Sequence, residues 1–197
     1  MATRTNLCPN PACKNNATGW SSNTTVARTD TITGMLRNTG MVLTGNGFIR
    51  TPTGLCAPGD IRTVSFYLKN GTDFELTGGK QVFVGYTLST GGETYPSGYD
   101  FNTPTIGPVG NVIRASETTL AAPANANGIF LIVDALNGTS GSGFFLTSVL
   151  YEDAPEPVGT YFDGDDPYCI WNGSDGNSTS TYTDPAAVKP GAFIPFL

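Results

Sequence analysis

The run Ile61-Arg62-Thr63-Val64-Ser65-Phe66-Tyr67-Leu68-Lys69 decides the fold class. Val64, Phe66 and Leu68 recur at every second position, with Ser65, Tyr67 and Lys69 between them. In an extended chain successive side chains point to opposite faces, so this spacing predicts a strand with one buried face. Residues 81–88 repeat the pattern, with Val82, Val84, Tyr86 and Leu88 on one face. Residues 128–136 are apolar on both faces, Ile129, Leu131 and Val133 against Phe130 and Ile132, which predicts a central strand. Residues 143–151 read similarly, with Phe144, Leu146 and Leu150 opposite Phe145, Val149 and Tyr151. Weaker strand text lies at 24–33, 41–50 and 111–120. No segment shows the 3.6-residue period of an amphipathic helix.

Between these runs stand Asn70-Gly71, Thr77-Gly78-Gly79, Thr90-Gly91-Gly92 and Asn137-Gly138. Glycine and asparagine tolerate the positive φ of tight hairpins, so each pair predicts a turn. About seven or eight strands at this spacing make an all-β sandwich or barrel. The 39% hydrophobic content supplies a core, while 25 glycines and 14 prolines suit a chain of short strands and many turns.

After Tyr151 the texture changes. Residues 152–157, Glu-Asp-Ala-Pro-Glu-Pro, read as a linker or strap, and little strand signal follows. The expected organisation is a β-sandwich over 1–153 and an extended tail over 154–197 that packs on the sandwich or on a neighbouring subunit. The tail carries Tyr161, Phe162, Tyr168, Trp171 and the apolar end Phe193-Ile194-Pro195-Phe196-Leu197. Phe193, Ile194, Phe196 and Leu197 are the expected docking strap, because that much apolar surface seeks a partner.

Composition excludes several classes. Ten Lys and Arg against sixteen Asp and Glu give a net charge of -6, with no basic cluster to neutralise phosphates, so nucleic-acid binding is not expected. The same scarcity argues against a basic membrane-surface face, and no apolar run reaches the roughly 18–20 residues of a membrane span. Histidine is absent, which removes Ser-His-Asp and Cys-His catalysis. Sixteen carboxylates leave glycoside hydrolysis open in principle, but no pair stands out, and the chain reads as a non-enzyme. Cys8, Cys13, Cys56 and Cys169 match no zinc spacing. They read as buried or free thiols, with a small Cys8–Cys13 disulfide loop as the alternative. No apolar stretch of a secretory signal follows Met1, so synthesis in a cytoplasm is expected.

The opening text, Asn6-Leu7-Cys8-Pro9-Asn10-Pro11 followed by Thr18-Gly19-Trp20, resembles the start of carbohydrate-binding-module-like (galactose-binding-like) jelly rolls. Ala57-Pro58-Gly59 before Ser65-Phe66-Tyr67-Leu68 is similar to that family's Pro-Gly turn and following strand. Residues 144–152, then Tyr161-Phe162-Asp163-Gly164-Asp165, Trp171-Asn172-Gly173 and Ser178-Thr179-Ser180-Thr181, resemble the last strand and tail of such domains in minor tail proteins of actinobacterial phages. The resemblance implies a jelly-roll sandwich of about eight antiparallel strands with an extended C-terminal strap, and a face able to bind sugar. It also implies a virion setting on a tail or capsid surface. The expected partners are other virion proteins, further copies of the chain and a host-surface glycan. A structural decoration or capping role without sugar binding is the alternative. Where the family often has a glutamate that helps hold calcium, this chain reads Ala12-Cys13-Lys14-Asn15. The family's usual calcium site is therefore not expected here; no cofactor is required, with a structural calcium as the alternative.

Sugar recognition needs flat aromatic faces and polar groups for hydroxyls. Glu93, Tyr95, Tyr99, Asp100 and Phe101 lie together in the turn-rich segment 91–101 and are the main carbohydrate candidates, with Trp171 in the tail as a further one. Trp20 reads as a core plug. Asp163, Asp165 and Asp166 offer oxygen ligands of the kind calcium takes, though an Asp/Gly-rich turn explains the same text. Six Asn-x-Ser/Thr sequons, at Asn16, Asn23, Asn70, Asn137, Asn172 and Asn177, follow from turns rich in Asn, Ser and Thr.

Overall fold

The computed structural model describes residues 3–45, 47–72, 82–96, 106–135, 143–153 and 160–184. They form an all-β jelly-roll sandwich, with fourteen strands among the described residues. In chain order these are β1 (Thr3–Asn6), β2 (Ser21–Ser22), β3 (Val26–Thr29), β4 (Gly40–Thr44), β5 (Phe48–Arg50), β6 (Gly54–Leu55) and β7 (Thr63–Thr72). Then come β8 (Val82–Leu88), β9 (Glu93–Thr94), β10 (Val112–Thr118), β11 (Ala126–Asp134), β12 (Gly143–Glu152), β13 (Cys169–Trp171) and β14 (Ser180–Thr183).

Two antiparallel sheets make the sandwich. One has the order β10-β7-β12-β4-β3, the other β2-β5-β11-β8-β9 with β6 also on β11. Their inner faces supply one core: Val64, Phe66 and Leu68 from β7 and Phe144 and Leu146 from β12 meet Val82, Val84 and Tyr86 from β8 and Ile129, Leu131 and Val133 from β11. Each large apolar side chain buried in this way contributes about 1.5–3 kcal/mol. The alternation in 61–69 and 81–88 is thus the core of the molecule. Trp20 is part of that core, 8% exposed, and its Nε1 donates to the Asn10 carbonyl at 2.9 Å.

β12 departs from the simple alternation. Its pairing with β7 runs from Phe144 to Thr147, then resumes at Leu150 opposite Ser65. The bulge between them contains Ser148 at φ 55°. One extra residue inverts every later side chain. Val149 and Tyr151 therefore point into the sandwich core, while Leu150 points to the other side and packs with Tyr161 and Phe162. The expected grouping of Leu150 with Phe144 and Leu146 is corrected by this inversion.

A third sheet, β1-β14-β13, joins the two ends of the chain. Thr3 pairs with Thr183 and Asn6 with Ser180, while β13 and β14 form an antiparallel hairpin through Cys169–Tyr182 and Trp171–Ser180. The scarcity of strand text after Tyr151 had pointed to a strap. The observed strands are only three and four residues long, too short for alternation to register, and they gain their stability by pairing with β1. Tyr161 and Phe162 form a second buried cluster with Leu150, against which Tyr67, Cys169 and Tyr182 pack. The segment thus lies on the outer side of the β7–β12 pair, and Arg4 sits 4.7 Å over the Phe162 ring.

Of the expected turns, Thr90-Gly91-Gly92 closes the β8–β9 hairpin, with both glycines at positive φ. Asn70-Gly71 is not a turn. Both residues lie inside β7, where pairing with β12 shifts register between Gly143 and Phe144. Asn70 is buried there and its Nδ2 donates to the Gly107 carbonyl at 2.8 Å. Thr77-Gly78-Gly79 and Asn137-Gly138 lie outside the described residues.

All four cysteines are free thiols. Cys8, Cys13 and Cys56 are buried and Cys169 is half-buried. Burial pushes each thiol up, Cys56 to about 11 and Cys169 to about 12, so none is thiolate near neutral pH.

Arg4 donates from Nε and Nη2 to the two carboxylate oxygens of Glu152 at 2.7 and 2.8 Å, and Glu152 is only 2% exposed. Removing one partner of such a pair strands the other in a dry site. Arg4→Met is expected to cost about 3 kcal/mol in urea unfolding; a cost below about 1 kcal/mol, the range of a surface ion pair, would contradict this reading.

Candidate functional site

The outer face of the β5-β11-β8-β9 region carries an aromatic and charged cluster. Arg50, at the end of β5, is cross-strand from Ile132 and so diagonal to Phe130 on the same face. Its guanidinium carbon lies 3.9 Å over the Phe130 ring. That cation–π contact covers a large apolar residue on the outer side of the sheet, and Phe130 is fully buried beneath it. Tyr95, just past β9, meets the same ring edge-to-face, with centroids 5.8 Å apart and planes at 80°.

Glu93 ties the cluster together. One carboxylate oxygen accepts from Arg50 Nη2 at 2.9 Å and the other from the Tyr95 hydroxyl at 2.8 Å. Arg50 Nη2 also donates to Thr53 Oγ1 at 3.1 Å. Nearby on the sheet, Thr87 Oγ1 donates to Asn127 Oδ1 at 2.6 Å.

The residue opposite Phe130 on β8 is Gly85. A Cβ there would fall 2.4 Å from the Phe130 ring and 3.0 Å from Tyr95, so only glycine lets both rings occupy these places. Tyr95 remains 49% exposed. The cluster therefore offers solvent a half-open aromatic ring, a carboxylate acceptor and a guanidinium donor within one patch. This is the chemical set that holds a hydroxyl-rich ligand: C–H groups against the ring, hydroxyls between donor and acceptor.

The sequence candidates separate on the structure. Glu93 and Tyr95 are brought together. Tyr99, Asp100 and Phe101 lie outside the described residues, as do Phe193, Ile194, Phe196 and Leu197. Trp171 belongs to a different place, on β13. Its indole lies against Gly164, and Nε1 donates to Asp165 Oδ1 at 3.1 Å. Arg50 and Phe130 were not selected from the sequence. An arginine at a strand end and a phenylalanine in a central strand carry no signal of meeting until the register aligns them.

The aspartates of 163–166 are engaged by cations of the chain itself. Asp163, 2% exposed, takes a two-pronged pair from Arg37 at 3.0 and 3.0 Å and a hydrogen bond from the Tyr161 hydroxyl at 2.8 Å. Asp166 accepts from Arg37 Nη2 at 2.6 Å. Lys14 bridges Asp165 and Asp175, each at 2.7 Å. Burial works against ionisation of Asp165, but the Lys14 and Trp171 hydrogen bonds outweigh it and hold its carboxyl below the usual range. Among the described residues no group of three or more Cys, Asp or Glu side chains is arranged to hold a metal ion. The Cys13 and Lys14 carbonyls accept from Arg28 at 2.7 and 2.6 Å.

No protein-family model and no curated protein matches the chain. Solved structures match by fold. The N-terminal family 22 carbohydrate-binding and family 10 catalytic modules of a Clostridium thermocellum endo-1,4-beta-D-xylanase, complexed with xylohexaose, align at TM-score 0.57 and 17% identity, over 82% of this chain and 30% of that one. A xylan-binding domain of family 22 aligns at 0.51 and 10% identity, over 75% of this chain and 95% of that domain. The enzymatically active domain of bacteriophage CBA120 tailspike protein 4 aligns at 0.51 and 19% identity, over 74% of this chain and 21% of that one. The chain thus spans less than a third of the xylanase and tailspike structures but the extent of a whole carbohydrate-binding module. The fold is that of carbohydrate-binding modules.

Burial and then the hydrogen bond to Glu93 push the Tyr95 phenol up to about 12. Spectrophotometric titration of wild type against Tyr95→Phe is expected to assign one tyrosine to that value. Glu93→Gln is expected to move it down toward the ordinary value near 10. A Tyr95 that titrates near 10 in wild type would contradict the described bond.

Proposed function

We propose that this chain is a phage virion protein, a minor tail protein of the kind found in actinobacterial phages, whose carbohydrate-binding-module-like domain contributes to host-surface attachment. The observation that carries the reading is the Tyr95–Glu93–Arg50 patch: a half-exposed ring beside a carboxylate and a guanidinium on the outer face of a sheet. A fold shared with carbohydrate-binding modules supports sugar as the ligand class. The likeness to a tailspike domain, together with the tail-protein resemblance of residues 144–182, supports the virion setting. In this reading the chain binds and does not cut, assembles with other virion proteins and with copies of itself, and meets the glycan outside the host.

A second reading, a decoration or capping protein without sugar binding, draws on the hairpin edge. Strand β13 ends the third sheet, and Ile170 within it and Tyr168 just before it are 65% and 59% exposed. An apolar edge strand of this kind suits pairing with another protein.

Calorimetric titration with purified host-envelope glycans and neutral β-linked oligosaccharides separates the two. Binding that Tyr95→Ala weakens by about tenfold, roughly 1.4 kcal/mol, supports attachment. Absence of binding to every glycan, with gold-labelled protein on a repeated lattice and not at the tail tip, would move the assignment to decoration.

A further inference from the structure

The outer face that carries Tyr95 continues toward one end of the sandwich. Gly128 lies two residues before Phe130 on β11, on the same face, and is cross-strand from Thr87 of β8 on one side and Leu55 of β6 on the other. Thr87 in turn pairs with Glu93 of β9. Leu55, Gly128, Thr87 and Glu93 thus form one row across the sheet, about 7 Å along β11 from the Phe130 row. Thr53 links the two rows. Its hydroxyl accepts from Arg50 at 3.1 Å, and its methyl group fills the space that a side chain on Gly128 would need.

Past the Gly128 row the surface opens into a cleft of about 510 Å³, within the size range of small-ligand sites, and Leu55 and Asn127 line it. Leu55 is 70% exposed. Asn127 is the extra residue at the bulge between Ala126 and Gly128. Its Oδ1 accepts from Thr87 at 2.6 Å, while its Nδ2 has no partner among the described residues. Leu7, Ala57, Pro58 and Ala126 complete an aliphatic wall. None of the described residues lining the cleft is aromatic, so it has no flat face on which a sugar ring could stack. Its charges are Arg62 between Asp60 and Asp153, one guanidinium against two carboxylates, a balance that repels anions. Arg62 donates to Asp153 Oδ1 at 2.7 Å, and Asp153 Oδ2 has no partner among the described residues.

We infer that this cleft is a subsite for the acetamido group of an N-acetylated glycan bound across Tyr95, an inference that rests on the sugar-binding reading above. The walls call for a small apolar end, Asn127 Nδ2 for an acceptor, and Asp153 Oδ2 for a donor. An acetamide carries all three on a neutral group: its methyl lies against Leu55 and Ala126, its carbonyl accepts from Asn127, and its N–H donates to Asp153. An acetyl ester lacks the N–H, an unsubstituted hydroxyl lacks the methyl and carbonyl, and a carboxylate or phosphate meets two aspartates.

Titration calorimetry of the full-length protein compares triacetylchitotriose with cellotriose, two β-1,4-linked trisaccharides that differ only in an acetamido group against a hydroxyl on each ring. The acetylated sugar is expected to bind about tenfold more tightly, the worth of one buried methyl and one hydrogen bond. Leu55→Ser, at an exposed position outside the core, is expected to erase that preference and leave the cellotriose affinity unchanged. Val109→Ser, at another exposed apolar position, should preserve it. Equal wild-type affinities, or a preference that survives Leu55→Ser, would overturn the inference; if Tyr95→Ala still weakens both sugars, the Tyr95 patch stands without it. Binding of neither trisaccharide overturns the inference as well, and binding of no glycan of any kind brings down the sugar reading with it.

Discussion

The bulge in β12 is the constraint from which the terminal architecture follows. By skipping a residue between Thr147 and Leu150, β12 leaves the backbone around Val149 without partners on β7. Buried backbone groups left in that state each cost on the order of 1–3 kcal/mol. The N-terminal segment satisfies them. Val149 N donates to the Pro11 carbonyl at 3.0 Å, and the fully buried Asn6 takes the rest: Nδ2 donates to the Val149 carbonyl at 3.1 Å, while Oδ1 accepts from Tyr151 N at 3.2 Å and Cys8 N at 3.0 Å. Asn6 Nδ2 also reaches the Phe162 carbonyl at 3.4 Å, so the same side chain touches the C-terminal part of the fold. One amide thereby joins a strand defect, the first strand and the segment that carries β13 and β14.

The inversion at the bulge has a second consequence. It turns Leu150 away from the sandwich core and gives Tyr161 and Phe162 something to bury against. Charge then reinforces the arrangement: Arg4 on Glu152, Arg37 on Asp163 and Asp166, Lys14 on Asp165 and Asp175. In each pair the cation comes from the first forty residues and the carboxylate from beyond residue 150. Asp163, Asp165, Asp166 and Asp175 are thus each held by a cation of the same chain, and the sandwich is closed by its two ends.

How much of this was legible follows from period and length. Strands of seven or more residues with one inward face, β7 and β8, were readable because many positions repeat the signal. β11 was readable as central from its two apolar faces, and Phe130 and Ile132 are indeed buried on the outer side. The bulge was not readable, since Thr147-Ser148 contains neither glycine nor proline and its φ of 55° at Ser148 is imposed by the surroundings. β1, β13 and β14 were missed because short strands owe their form to pairing partners far away in sequence. At the site, Glu93 and Tyr95 stood out as polar and aromatic residues in glycine-rich text. Arg50 and Phe130 did not, because their meeting depends on the β5–β11 register and on the missing side chain of Gly85.

If the two ends of the chain are one cooperative unit with the sandwich through Asn6, then native-state hydrogen exchange of Asn6→Ala is the direct measure. The amides of Tyr151, in β12, and of Thr181 and Thr183, in β14, should lose protection together, by on the order of 3 kcal/mol. Loss confined to Thr181 and Thr183, with Tyr151 still exchanging at the wild-type rate, would show the terminal sheet to be a separable appendage and contradict the account.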